Sequence, residues 1–218
     1  MTWSETFELL GPALQETVWM VGLASLFTAI GGLVIGVLFV LTERGGLLPV
    51  PRLNAVLGLI VNLGRSVPFL ILMVAIMPFT RLVVGTSIGT EAAIVPLTVG
   101  AIPFFARIVE TALREVPADV VAATIAMGAT RREIVGKVLL REALPGLISG
   151  FTITIIAIIG YSAMAGTVGG GGLGALAVIY GYQRFETNVM IATVVVLVLL
   201  VQLIQMIGDL LARRLSHR

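Results

Sequence analysis

Five long apolar stretches limit what this chain can fold into more than any other feature of it. They run approximately from Ala13 to Leu41, Leu53 to Met77, Glu91 to Leu113, Ala143 to Ala165 and Glu186 to Leu211. Each holds the roughly 20 mostly apolar residues that an α-helix, rising 1.5 Å per residue, needs to cross a hydrocarbon core of about 30 Å. A soluble domain cannot bury so much oil: the 218 residues are 58% hydrophobic and 12% charged, with mean hydropathy +1.08. Soluble domains carry about 25% charged residues. The reading is an all-α polytopic membrane bundle of five spans, with residues 1–218 forming one transmembrane domain.

Charge sets the orientation, because Lys and Arg stay on the cytoplasmic side of short loops. With the amino terminus outside, Arg44, Arg52, Arg65, Arg107, Arg114, Arg131, Arg132, Lys137, Arg141, Arg213, Arg214 and Arg218 fall to the cytoplasmic side, leaving Arg81 and Arg184 outside. The acidic start, with Glu5, Glu8 and Glu16, agrees with this and lacks the basic region of a cleavable signal. The expectation is N-out, C-in. Prolines are tolerated in membrane helices when neighbours satisfy the freed carbonyls, but they predict kinks: Pro68 in the second span, Pro96 and Pro103 in the third. Gly31, Gly32 and Gly36 predict close helix packing.

The charge missing elsewhere gathers between Glu110 and Glu142, which hold ten charged residues. Pro117 fits a helix first turn, with Asp119 near its positive end, and VVAATIAMGA is rich in helix formers that stop at Gly128. Thr130 and Glu133 have capping-box spacing, and Ile134, Val135, Val138 and Leu139 keep a helical stripe. Two short amphipathic helices should therefore meet at Ala126 to Ala129. Periodicity alone equally allows a hairpin lying on the membrane surface.

This segment resembles the cytoplasmic EAA loop of ABC importer permeases: Ala123, Gly128 and Leu140 match its pattern and Val138 stands for its Ile, while Ala122 replaces the Glu and Arg141 the Pro. From NLGRSVPFLILM through MPFTRLVVGTSIG, AAIVPLTVGAIPFFARIVE and REALPG to IIGYSAMAGTVGGGGLG, the chain is similar to bacterial methionine-importer permeases. That resemblance implies a type I ABC importer permease fold in the inner membrane, working as a homodimer. It also implies two cytoplasmic ABC ATPase subunits and a periplasmic or lipid-anchored methionine-binding protein as partners. The loop at about 114–142 would then be the coupling loop, with Ala122, Ala123, Thr124, Ala126, Met127, Gly128 and Ala129 assigned to ATPase coupling. Methionine, D-methionine or a derivative would pass to the cytoplasm by alternating access. A permease for another amino acid, a passive channel and a membrane scaffold are the alternatives.

No catalytic constellation is visible, so the chain is read as a transport subunit and not an enzyme. It has no cysteine, and its single histidine, His217, lies in the tail. GGGGLG at Gly169 to Gly174 fits a dinucleotide fingerprint only by letter, since it follows a membrane span and not a strand. Without a phosphate loop, ATP and magnesium belong to a partner; no cofactor, metal or nucleic acid is expected on this chain. The glycines are read as an outer turn or a gate hinge. Asn62, Ser66, Tyr161, Ser162 and Met164 are the candidates for lining or gating the pathway. Arg107 with Glu110, and Asp209 with Arg213, have helical pairing distances, whereas Arg65 lacks a local acid and is expected to pair with Glu43 or the charged loop.

Overall fold

A computed structural model describes residues 1–216; the predictions made for His217 and Arg218 lie outside the described residues. Its described residues are helices and turns, in the order α1 (Trp3–Thr42), α2 (Pro51–Ser66), α3 (Phe69–Ala75), α4 (Met77–Val84), α5 (Thr90–Arg114) and α6 (Ala118–Ala126). There follow α7 (Arg131–Glu133), π-helical turns Ile134–Leu139, α8 (Leu140–Glu142), α9 (Leu144–Gly166), α10 (Gly172–Leu176), π-helical turns Ala177–Gln183 and α11 (Thr187–Leu215).

Four helices, α1, α5, α9 and α11, are long and apolar enough to cross a bilayer. The second expected span is broken: α2 and α3 meet at a 105° bend, so the count is five only if that pair is one span. Pro68 explains the break, since its ring disfavours helical backbone at Val67, which is extended at φ −85°, ψ 125°. Pro96 and Pro103 both lie inside α5, which continues through them as one helix of 25 residues.

The first span is also longer than its apolar stretch. α1 starts at Trp3, ten residues before Ala13, because Thr2 and Glu5 form a reciprocal capping box: Thr2 N donates to Glu5 Oε2 at 2.7 Å and Glu5 N to Thr2 Oγ1 at 3.4 Å.

The core sits where α1 crosses α5. Gly36 makes that crossing possible, because a Cβ there would lie 2.5 Å from Val109 Cβ and 2.7 Å from the Ala106 carbonyl oxygen. One cluster of Met20, Ala24, Leu97, Ala101 and Ile158 joins α1, α5 and α9; a second, with Phe105, Val109, Leu113, Ile134 and Leu147, ties the charged loop to the bundle. By contrast α2 buries only Val61, and Val56, Leu59, Ile60 and Leu63 stay exposed. Outward apolar faces are what a bilayer or a second bundle requires. The two ends of the bundle are thus defined: one carries Glu43, α6 and the end of α11, and the other carries the glycine turn and the start of α1.

Candidate functional site

α5 leaves the bundle at Arg114 and turns through Glu115 to Pro117 into α6, whose N-cap is Pro117 and whose first turn carries Asp119. None of the nine residues of α6 is buried. Val121 and Ala129 pack against the underlying cluster and seat the segment, with Thr124 half-buried. Ala122, Ala123, Ile125, Ala126, Met127 and Gly128 are exposed, Met127 at 78%. The turn that follows is tightly specified. Gly128 has φ +81°, a left-handed conformation that costs other residues about 1–2 kcal/mol, and its N donates to the Ile125 carbonyl at 2.9 Å. Ala129 N then donates to the Thr124 carbonyl at 3.3 Å.

Thr130 restarts the helix as its spacing predicts. Thr130 N donates to Glu133 Oε2 at 3.1 Å, and Glu133 N to Thr130 Oγ1 at 3.4 Å. Glu133 also receives Lys137 Nζ at 3.0 Å. The backbone bond from Thr130, then the Lys137 and Thr130 side chains, lower its pKa to about 2. The result is a rigid helix–turn–helix that presents small and apolar side chains to the outside, not a pliable linker.

A polar chain locks this end to the bundle. Glu110, 2% exposed, receives Arg107 Nη1 at 2.6 Å and Arg114 Nη2 at 2.9 Å. Arg114 also reaches Glu43 at 2.6 Å, and Arg107 Nη2 donates to Asn62 Oδ1 at 2.8 Å. The Arg107 to Glu110 pairing therefore holds, while two other expectations do not. Glu43 is taken by Arg114, and Arg65, on the exposed face of α2, has no acidic partner among the described residues. Asp209 accepts from Gln205 Nε2 at 2.8 Å in place of pairing with Arg213.

The five pathway candidates separate. Ser162 is buried and donates to the Ile159 carbonyl at 2.8 Å, so it faces the interior of its own bundle. Asn62 is held by Arg107, and Ser66 donates to the Asn62 carbonyl at 2.7 Å, both on the exposed face of α2. Tyr161 stacks on Phe69 with centroids 4.7 Å apart, and Met164, three residues further along α9, is exposed. Tyr161 thus meets the break between α2 and α3, whereas Ser162 turns into the bundle and Met164 to its surface.

At the glycine end the chain turns back after α9 through Gly169, Gly171 and Gly172, all with positive φ. It is clamped there to two other elements. Gly172 N donates to Glu16 Oε2 at 2.6 Å and Leu173 N to the buried Thr17 Oγ1 at 2.8 Å, while Gly89 N donates to the Gly169 carbonyl at 2.8 Å. This is a tight joint among α1, α5 and α10, so the turn reading fits it better than a loose hinge. Sequence reasoning missed Glu16 and Thr17, which are 156 residues from their partners. Among the described residues no group of three or more His, Cys, Asp or Glu side chains could hold a metal ion.

Residues 32–218 match the family described as binding-protein-dependent transport system inner membrane component. The chain is 54% identical over 211 residues to a probable D-methionine transport system permease protein MetI of Vibrio cholerae, with 97% of this chain and 94% of that protein covered. It is 52% identical to the corresponding protein of Pasteurella multocida, covering 97% and 98%. A solved structure of the MetNI methionine ABC transporter in an inward-facing conformation superimposes with a TM-score of 0.96 at 48% identity, over 100% of both chains. A second, an amino acid ABC transporter with histidines, superimposes with a TM-score of 0.80 at 16% identity, over 97% and 96% of the chains, and bears on the fold alone. The helical architecture is thus that of a type I ABC importer permease. This chain belongs to the family of binding-protein-dependent transport system inner membrane components, as a multi-pass membrane permease of an ABC transporter.

Proposed function

We propose that this chain is the permease subunit of an ATP-driven importer that moves methionine, D-methionine included, from the periplasm to the cytoplasm. The observation that carries the reading is α6: an unburied apolar helix, stopped by a left-handed Gly128 and seated on the core, in a chain with no phosphate-binding loop of its own. Such a helix suits docking into a partner that handles ATP. Residues 1–218 act as one transmembrane domain, and about 114–142 as its coupling loop, with Ala122, Ala123, Thr124, Ala126, Met127, Gly128 and Ala129 at the contact.

Two copies of the chain pair across their exposed apolar faces, two ABC ATPase subunits bind the coupling loops, and a methionine-binding protein delivers substrate at the glycine end. The basic residues Arg44, Arg52, Arg131, Arg132, Lys137, Arg213 and Arg214 cluster at the loop end, which supports a cytoplasmic loop, a periplasmic amino terminus and a cytoplasmic carboxyl terminus. Closure of the ATPases on ATP draws the two α6 helices together. The Glu110 network passes that displacement into α5, α2 and α1, and the bundles open outward.

Proteoliposomes holding the permease, its ATPase and the binding protein should accumulate labelled methionine only with ATP. Replacing Gly128 by leucine, which forces a side chain into a left-handed turn, should abolish both ATPase association and uptake. Uptake without ATP, or full activity of Gly128→Leu, would overturn the reading.

A further inference from the structure

Arg65 is a cation beside the middle of α5 that has no carboxylate partner among the described residues. It lies 14 residues after Pro51, about 21 Å along α2 at 1.5 Å per residue, immediately before the 105° break. Its neighbours Gly100 and Phe104 stand near the middle of α5. This places the guanidinium at hydrocarbon depth, where an arginine facing lipid is strongly disfavoured and marks a water-filled or polar path. Arg107 and Arg114, about one and three turns beyond Phe104, are paired with Glu110, and Arg114 also with Glu43, whereas Arg65 is exposed with no carboxylate within salt-bridge distance among the described residues.

Two cavities flank it. One, of about 160 Å³, is walled by Arg65, Phe69, Phe104, Tyr161 and Gly100; the other, of about 310 Å³, by Arg65, Phe104, Arg107 and Ser149 among others. Glu115, where α5 turns toward α6, is the sole carboxylate on either wall among the described residues. An anion entering here meets two guanidinium groups and three aromatic rings. Guanidinium matches a carboxylate in a two-bond fork, and thioethers pack favourably against aromatic rings.

We infer that Arg65 binds the α-carboxylate of the transported amino acid on its passage through the membrane, and that Phe69, Phe104 and Tyr161 take its side chain. This deepens the importer reading and rests on it. The break after Ser66 serves the site by ending α2 where the guanidinium must turn into the path, and the Phe69–Tyr161 stack fixes the wall opposite.

The chain has no cysteine, which makes a charge-restoration test direct. In the reconstituted complex, Arg65→Cys should lower ATP-driven methionine uptake at least tenfold at saturating loaded binding protein. Reaction with aminoethyl methanethiosulfonate, which installs a cation, should recover several-fold of that loss, while methyl methanethiosulfonate, equally reactive but neutral, should recover none. Methionine should slow the modification, and Arg65→Lys should retain most of the uptake with a raised KM. Equal recovery by the neutral reagent, no protection by methionine, or wild-type uptake by Arg65→Cys would overturn the inference. Failure of both variants to assemble would assign Arg65 to the fold and overturn it as well. A wild-type complex that shows no ATP-driven uptake would instead refute the importer reading.

Discussion

Replacing Gly172 by alanine tests the joint at the glycine end. The backbone there has φ +73°, and an added Cβ would lie 2.5 Å from Thr17 Oγ1 and 2.6 Å from Met20 Cε. A left-handed conformation costs a non-glycine residue about 1–2 kcal/mol. Overpacking a tight interior adds about 1–3 kcal/mol. Pushing Thr17 aside also weakens the bond its hydroxyl accepts from Leu173 N at 2.8 Å, worth about 0.5–1.5 kcal/mol. Together these come to about 2.5–6.5 kcal/mol. Because such bundles unfold irreversibly in detergent, the readout is a rate. If the clamp is lost only after the unfolding barrier is crossed, little of the destabilisation reaches that rate; if it is lost before, the half-life of the monodisperse permease at fixed temperature falls by about 100-fold or more. The clamp joins the ends of three helices at the edge of the bundle, so the second case is expected. Gly22→Ala is the control: it lies in the same α1, meets nothing within 4 Å, and should gain up to about 1 kcal/mol of helix propensity. A Gly172→Ala half-life equal to that of wild type, or equal shortening in both variants, would refute the reasoning.

Other consequences can be checked alongside it. Glu110→Ala strands Arg107 and Arg114 beside a buried gap and should cost roughly 2–4 kcal/mol, below the full value for a buried pair because both arginines are partly solvated; unchanged thermal half-life would contradict this. Asp209→Asn should leave stability within about 0.5 kcal/mol, since the Gln205 bond survives and no Arg213 pair is lost; a large effect in the same assay would restore the Arg213 pairing. Glu133, held down to about pKa 2 from 4.5, should support the Thr130 cap fully above pH 4.5 and lose that support as pH falls toward 2. Infrared difference spectra of wild type against Glu133→Gln should show its carboxylate still ionised at pH 3.5; protonation near pH 4.5 would count against the cap.

Local chemistry made much of this fold readable. The apolar stretches, the stop at Gly128, the box at Thr130 and the pairing of Arg107 with Glu110 all depend on residues within one or two helical turns. Pro68 was readable as a bend, though its 105° size comes from Ser66 to Pro68 acting together with the packing of Phe69 on Tyr161. The early start of α1 escaped because Glu5 and Glu8 interrupt the apolar run, yet Thr2 and Glu5 carried the capping signal three residues apart. The contacts that define the site are of another kind. Arg114 reaches Glu43 across 71 residues, and Glu16 reaches Gly172 across 156. No periodicity encodes such partners; they follow from how α1 packs against α5 at one end and against the turn before α10 at the other. Arg65 shows the same limit, since only the packing reveals that Glu43 and Glu110 are already held by other arginines.

The proposed grip of an ATPase on α6 can be tested on the assembled complex. The most direct measurement is the mass and subunit ratio of the complex purified in detergent from cells that express the chain with its cognate ATPase. Two permease chains with two ATPase subunits are expected, with loss of the ATPase alone when the exposed Met127 is replaced by aspartate. A permease that purifies without the ATPase, or a Met127→Asp chain that retains it in full, would contradict the account.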